Sequence, residues 1–390
     1  MRNLIAFLCA LFVLSAACLA QEPAAASREL VAGVILPETG EFASWGKEMH
    51  RGLELAVKHE NSRRAVQLRL VFADTASTPD GTLQALNQVL KQGICVLVGP
   101  VTTKNARAVA DRVRNTPLPW VLPIVTGDKL LAENPSLYRV CFDNTYQAAA
   151  MALFAFEDLK AKRAGLLYDE TDEYSSEIAK AFTEAFEASG GSFVGIFGSV
   201  RSDRTDCAKE LASLAAADAQ VVALPLMADR AAAVLKQAFA LKSKFTFIGS
   251  DGWEDARLFD VGEAASGHYF ATHFAADEGY PPTRAFVEKY RKAFPDAPRP
   301  ASDAALGYDA GLALADAASR AGGVGRPEDV AIALSSIENL PGVTGLITIG
   351  PDRRADKGVV IVRTGPKGAT FVKRYPPTGV YLDETEIPGP

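Results

Sequence analysis

From Leu30 to Ser250 the chain alternates short apolar runs with longer amphipathic ones, and that order leaves few folds open. LVAGVIL (30–36) and VQLRLVFAD (66–74) read as strands on either side of a helix-like KEMHRGLELAVKHENS (47–62). A helix near 80–92, the strand CVLVG (95–99), a helix near 104–114, and the strands WVLPIV (120–125) and LYRVCF (137–142) continue the series. A second series repeats the plan: helix 146–159, strand RAGLLYD (163–169), helix 175–188, strand SFVGIFGS (192–199), helix 206–216, strand QVVALPL (220–226), helix 229–240 and strand FTFIGS (245–250). Alternation of this kind builds parallel sheets with helices on both faces, so the expected class is α/β with two doubly wound lobes. After two helical segments within 283–334, VTGLITIGP and VVIVRTG read as a closing β-hairpin around the polar DRRADKG.

Residues 1–20, MRNLIAFLCALFVLSAACLA, place one Arg before an apolar run from Leu4 to Val13, followed by small residues suited to cleavage after Ala20. This reads as an export signal, and the expected location is the periplasm or the exterior. The apolar run falls short of the ~20 residues of a spanning helix. Ser15-Ala16-Ala17-Cys18 approaches a lipoprotein box, but Leu14 stands four places before Cys18 rather than three, so a lipid anchor at Cys18 is the less favoured reading. Across the chain, 47 Asp and Glu against 41 Lys and Arg leave a formal charge of -6, which argues against a nucleic-acid partner and offers nothing to an anionic membrane.

Motifs for catalysis and metals are wanting. GEFASWGKE (40–48) puts five residues between Gly40 and Gly46 where a phosphate loop has four, and Glu48 replaces the hydroxyl that would touch magnesium. There is no GxSxG, HExxH, GxGxxG after the first strand, or EF-hand run, so neither an enzyme nor a cofactor is expected. His268 and His273 would face opposite sides of a strand, which leaves them no shared metal. Cys95, Cys141 and Cys207 remain after the signal; buried thiols are favoured, and at most one disulfide is open to them.

In open α/β sheets, ligands bind beyond the carboxyl ends of the strands. CVLVG ends at Gly99-Pro100-Val101-Thr102-Thr103 before a helix, where a ligand carboxylate would meet hydroxyls and free N–H groups. Thr102 or Thr103 serves equally as a plain helix cap. WVLPIV runs on to Val125-Thr126-Gly127, adding a hydroxyl at the same edge. Tyr168-Asp169 through Tyr174 follows the first strand of the second lobe. FTFIGS delivers Asp251-Gly252-Trp253, where Asp251 either accepts an ammonium or closes an Asx turn.

Taken in order, these blocks resemble type I periplasmic binding proteins, with the leucine/isoleucine/valine-binding branch nearest. The resemblance starts at Gly33-Val34-Ile35-Leu36-Pro37 with Thr39-Gly40-Glu41-Phe42-Ala43-Ser44-Trp45-Gly46 and Arg51-Gly52. It continues through Phe72-Ala73-Asp74-Thr75, Gly99 to Thr103, Leu122 to Thr126, Tyr168-Asp169 with Tyr174, Ile248 to Gly252, and Gly307-Tyr308-Asp309-Ala310. It spans nearly the whole chain after residue 28.

What the resemblance implies is a bilobal clamp hinged near Asp143, Thr272 and Gly345. One lobe would comprise 28–143 and 273–345, the other 144–272 and 346–376, with a Pro-rich tail at 377–390. The family's carboxylate-binding hydroxyl falls on Thr103, with Thr102 beside it as a further ligand-binding candidate; its backbone and hydroxyl contacts after the next strand fall on Ile124 and Thr126, and its cleft tyrosine on Tyr174. Its ammonium-binding acid falls on Asp251-Gly252, and its covering aromatic on Trp45. Asp251 is one methylene shorter than the Glu of many amino-acid binders. Trp45 and Leu226 give the side-chain pocket an apolar cast, which points to a hydrophobic amino acid, branched-chain or aromatic; Trp45 as a core or hinge residue stays open. The implied role is that of the monomeric solute-binding component of an ABC importer, delivering a small molecule to permease subunits. A ligand sensor for a receptor, a binder of amides or aromatic acids, and a secreted α/β hydrolase are the alternatives.

Overall fold

The computed structural model describes residues 29–200, 206–297, 299–322 and 326–377. The export signal read at 1–20, with Cys18, and the tail beyond residue 377 lie outside them. In chain order the first lobe runs β1 (Glu29–Leu36), α1 (Ala43–Asn61), β2 (Gln67–Asp74), α2 (Pro79–Leu90), β3 (Val96–Val98), α3 (Thr103–Arg114), β4 (Trp120–Leu122), α4 (Asp128–Glu133) and β5 (Leu137–Arg139). Its sheet has the order β2-β1-β3-β4-β5, parallel throughout.

The second lobe follows with α5 (Asn144–Leu153), β6 (Arg163–Leu167), α6 (Glu173–Ala188), β7 (Ser192–Phe197), α7 (Ala208–Ala216), β8 (Val221–Leu224), α8 (Ala228–Ala240), β9 (Thr246–Gly249) and β10 (Tyr269–Thr272). The chain then returns to the first lobe through α9 (Pro281–Ala293), α10 (Ser302–Arg320), α11 (Pro327–Leu334), β11 (Leu340–Gly342) and β12 (Gly345–Ile347). It ends in the second with β13 (Val359–Gly365) and β14 (Gly368–Tyr375), giving a sheet of order β14-β13-β10-β9-β8-β6-β7. Only the β10–β13 and β13–β14 pairings of that sheet are antiparallel. The α/β class with two doubly wound lobes is therefore what the chain adopts.

Each sheet splits its core by the two-residue side-chain period. Leu30, Ala32, Val34 and Leu36 of β1 join α1 and α10 on one face, while Ile35 joins α2 and α3 on the other. In the second lobe Val222 and Leu224 face one core and Val221 and Ala223 the opposite one. The close contact of α1 with α10 explains two small residues: a Cβ on Gly52 would lie 1.8 Å from the Ala304 carbonyl, and one on Gly307 2.3 Å from that of Met49.

The closing hairpin is not the one expected. VTGLITIGP pairs backward, β12 with β11, and VVIVRTG forms its hairpin with KGATFVKRY instead. The reason lies in the cores. Ile347 and Ile349 are buried against Leu306 and Leu314, whereas Val360 and Val362 are buried in the second lobe. The third crossing therefore lies between Ile349 and Val359, later than the expected Gly345 boundary. Lys357 marks it, its ammonium 3.0 Å from Asp309 Oδ2 with both side chains buried. Asp309 also accepts from the Val343 and Thr344 amides, so the passage is pinned to α10. At the other crossings, Cys141 is in the first core and Phe142 in the second, and Ala271 is in the second while Phe274 packs with Tyr290 and Tyr308. Cys95 and Cys141 are free thiols, and burial pushes that of Cys141 up to about 12. Cys207 is buried in the second lobe beside Gln237.

One histidine makes stability depend on pH. His268 Nδ1 accepts the Phe247 amide at 3.3 Å, and the two rings meet edge to face at 5.2 Å. Burial, opposed by a hydrogen bond with Ala264, pulls its pKa from the ordinary 6.5 down to about 4. Between those values the unfolded chain binds more protons, so this contribution is intact above pH 6.5 and is lost as pH falls towards 4. Chemical denaturation at about pH 7 and about pH 4 should show His268→Asn, which keeps an acceptor but does not titrate, losing about 2–3 kcal/mol less than wild type. Equal losses would contradict this account.

Candidate ligand-binding cleft

The strands of the first lobe all run parallel, and so do β6 to β10 of the second, so the carboxyl ends of these strands lie along one edge of each sheet, and the two edges face each other. The cavity between them is lined by residues that follow β3, β4, β8, β9 and β10 and by the first residues of α1, α6 and α10.

On the first lobe, Thr102 caps α3: its Oγ1 accepts from the Asn105 amide at 3.3 Å with extended backbone angles. The capping alternative therefore holds for Thr102. Thr103, the next residue, lines the cavity, and among the described residues neither its hydroxyl nor the Thr103 and Lys104 amides find a protein partner. Ile124 and Thr126 come from the segment after β4, held by the Asn144 amide donating to the Thr126 carbonyl at 3.1 Å. This wall combines free donors, a helix N-terminus and apolar side chains, a surface suited to an anionic group.

On the second lobe, Asp251 opens a single 3-10 turn, Asp251–Trp253, directly after β9. Its amide donates to Gln147 Oε1 at 3.1 Å, which fixes the turn to α5. Tyr174, at the start of α6, donates its hydroxyl to Asp251 Oδ1 and accepts the Gly252 amide at 2.9 Å. Burial and then the charge of Asp251 hold the Tyr174 phenol far above its ordinary pKa, so it stays a neutral donor. His273 Nε2 lies 3.3 Å from Asp251 Oδ2 while its ring stacks on Phe142 at 3.6 Å. A Cβ on Gly252 would stand 3.1 Å from both Met227 Sδ and Tyr174 Oη, so a side chain there would press on both.

Trp45 spans the lobes. It lines the cavity from the start of α1, packs with Phe42 and the first core, and donates its indole N–H to Asp255 Oδ2 at 3.0 Å. Glu254 spans them too: its carboxylate accepts from the Ser302 amide at 2.8 Å, the Ser302 hydroxyl at 2.6 Å and the Thr272 hydroxyl. At the rim, Arg107 pairs with Glu173, and Glu177 accepts the Asp128 amide at 3.0 Å.

A family model described as periplasmic binding protein matches residues 29–369. The chain belongs to that family. Within it, the Leu/Ile/Val-binding protein BraC3 of Rhizobium johnstonii is 26% identical over 330 residues, covering 83% of this chain and 88% of that relative. Leu/Ile/Val-binding protein homolog 3 of Brucella melitensis is 32% identical over 202 residues; the match takes in 51% of this chain and about half, 54%, of that relative. The crystal structure of a leucine-binding protein, LivK, from Thermotoga maritima aligns with a TM-score of 0.81 at 28% identity, covering 90% of this chain and all of that one. This is a type I periplasmic binding protein of the leucine/isoleucine/valine-binding branch, a group of solute-binding proteins rather than enzymes.

Of the positions read from the sequence of this periplasmic binding protein, Trp45, Thr102, Thr103, Ile124, Thr126, Tyr174, Asp251 and Gly252 meet at the cavity. Leu226 does not. The Leu226 amide donates to the Leu224 carbonyl at 2.9 Å, a γ-turn that swings its side chain into the second core, and Met227 reaches the cavity instead. Sequence reasoning missed Val101, Val125, Met227, Glu254, His273, Ser302 and Asp303. His273 follows β10, so the strand-end rule would have found it. The first turn of α10 carried no such signal.

Tyr174→Phe should cost about 1–3 kcal/mol in urea unfolding, because it strands the buried Gly252 amide and leaves Asp251 Oδ1 without its donor. A stability within about 0.5 kcal/mol of wild type would show that this cluster holds the turn by other means.

Proposed function

We propose that this chain is the extracytoplasmic solute-binding component of an ABC importer and that its solute is an amino acid, presented by the closed clamp to permease subunits. The observation that carries the proposal is the opposition of Thr103 with the α3 N-terminus on one wall and Asp251 with Tyr174 on the other. A carboxylate suits the first wall and an ammonium the second. The zwitterionic end of an amino acid then bridges the lobes, and closure is favoured by contacts that exist only when both walls are engaged. Trp45, Val101, Ile124 and Met227 supply the apolar surface around the rest of the solute. The names of the relatives, Leu/Ile/Val-binding and leucine-binding, support the same class of solute. Among the described residues no helix is long and apolar enough to cross a membrane.

A thermal-shift screen of amino acids tests this. At about 100 times its Kd a ligand should stabilise the protein by roughly 2.7 kcal/mol. Asp251→Ala should weaken the best amino acid about tenfold or more, as expected for loss of a charged hydrogen bond, while changing its des-amino analogue little. A shift from carboxylates without an amine, and from no amino acid, would sink the assignment of Asp251.

A further inference from the structure

Among the described residues, one of the carboxyl groups that line the cavity has a buried oxygen with no partner in the protein. Asp303, the second residue of α10, lines the cavity at 3% exposure, and its Oδ1 has no hydrogen-bond partner. The acids around it are all engaged. Glu254 holds Ser302 and Thr272, Glu48 holds Arg51 and Tyr290, and Asp255 holds Trp45 and Arg257. None of the cavity's lining residues is Lys or Arg. Burial and then the charges of Glu254, Glu48 and Asp255 hold the Asp303 carboxyl well above its ordinary pKa, so the protein favours its neutral form, and a cationic or N–H donor brought by a ligand would supply the partner that the protein does not provide. A buried polar atom without a partner costs free energy, and a ligand that supplies the missing partner removes that cost on binding.

Asp303 belongs to the first lobe and Asp251 to the second, so the cavity offers two separate acceptor positions for nitrogen. We propose that Asp303 receives an N–H donor on the solute's side chain, so that the solute is an amino acid tipped with an amide, ammonium or guanidinium group rather than a pure hydrocarbon. This rests on the amino-acid reading above, in which Asp251 takes the α-ammonium. The side chain of Leu226 points into the second core, so the second wall gains no apolar surface from it, and Asp303 gives the opposite wall an acidic group.

Isothermal titration of wild type, Asp303→Asn and Asp303→Leu with L-lysine, L-arginine, L-glutamine and L-leucine tests the proposal. At least one nitrogen-tipped ligand should bind wild type about ten- to a hundredfold more tightly than leucine, and Asp303→Leu should reverse that order. If the tip is cationic, Asp303→Asn loses affinity as well; if it is an amide, the isosteric Asn retains most of it. Both variants should fold, Asp303→Leu with a higher Tm than wild type because an unpartnered carboxyl has been removed from the interior. Leucine binding best to wild type, with Asp303→Leu unchanged or tighter for it, would overturn the role of Asp303 and leave the amino-acid reading standing. No heat from any of the four would remove both.

Discussion

Parallel strands point one way, and a sheet made of them delivers every strand-to-helix transition to a single edge. In this molecule two such edges face each other, and the polar apparatus of the cleft follows from that. Thr103 and the α3 N-terminus follow β3, Thr126 follows β4, Asp251 follows β9 and His273 follows β10. No active placement of single residues is required beyond the choice of what stands at each strand end. The crossings between lobes, the last pinned by Lys357 on Asp309, keep the two edges opposed.

The two walls differ in how their groups are held. The first presents free donors on a rigid helix start, where Thr102 spends its hydroxyl on the cap and leaves that of Thr103 available. The second presents an acceptor whose carboxylate is already oriented by Tyr174 and His273 and whose backbone is tied to Gln147. An acceptor fixed before the ligand arrives needs little reordering on binding, which is where affinity in small polar sites is gained. Trp45–Asp255 and Glu254–Ser302 add direct bonds between the lobes beside the cavity, so closure does not rest on the solute alone.

The fold and the strand-end residues were legible because their signals are local. A run such as FTFIGS names its strand, and Asp251-Gly252 directly after it can only fall at the edge. Leu226 misled because a γ-turn after Leu224 shifts the register by one residue, and a one-residue shift exchanges core for cleft. Ser302 and Asp303 were invisible for a different reason. They reach the cavity through the return of the chain to the first lobe, where the Ser302 amide meets Glu254, 48 residues earlier in the chain. The final hairpin was misjudged similarly, since which strand pairs with VVIVRTG is decided by which core Ile347 and Val360 enter, not by the turn between them.

The central claim is that one solute joins a carboxylate-binding wall to an ammonium-binding wall and so draws the lobes together. Small-angle X-ray scattering of the protein alone, with a saturating amino acid, and with the matching des-amino acid measures that directly. The account predicts a smaller radius of gyration with the amino acid and a value indistinguishable from the free protein with the des-amino acid. Equal contraction by both, or contraction by neither at saturation, would contradict it.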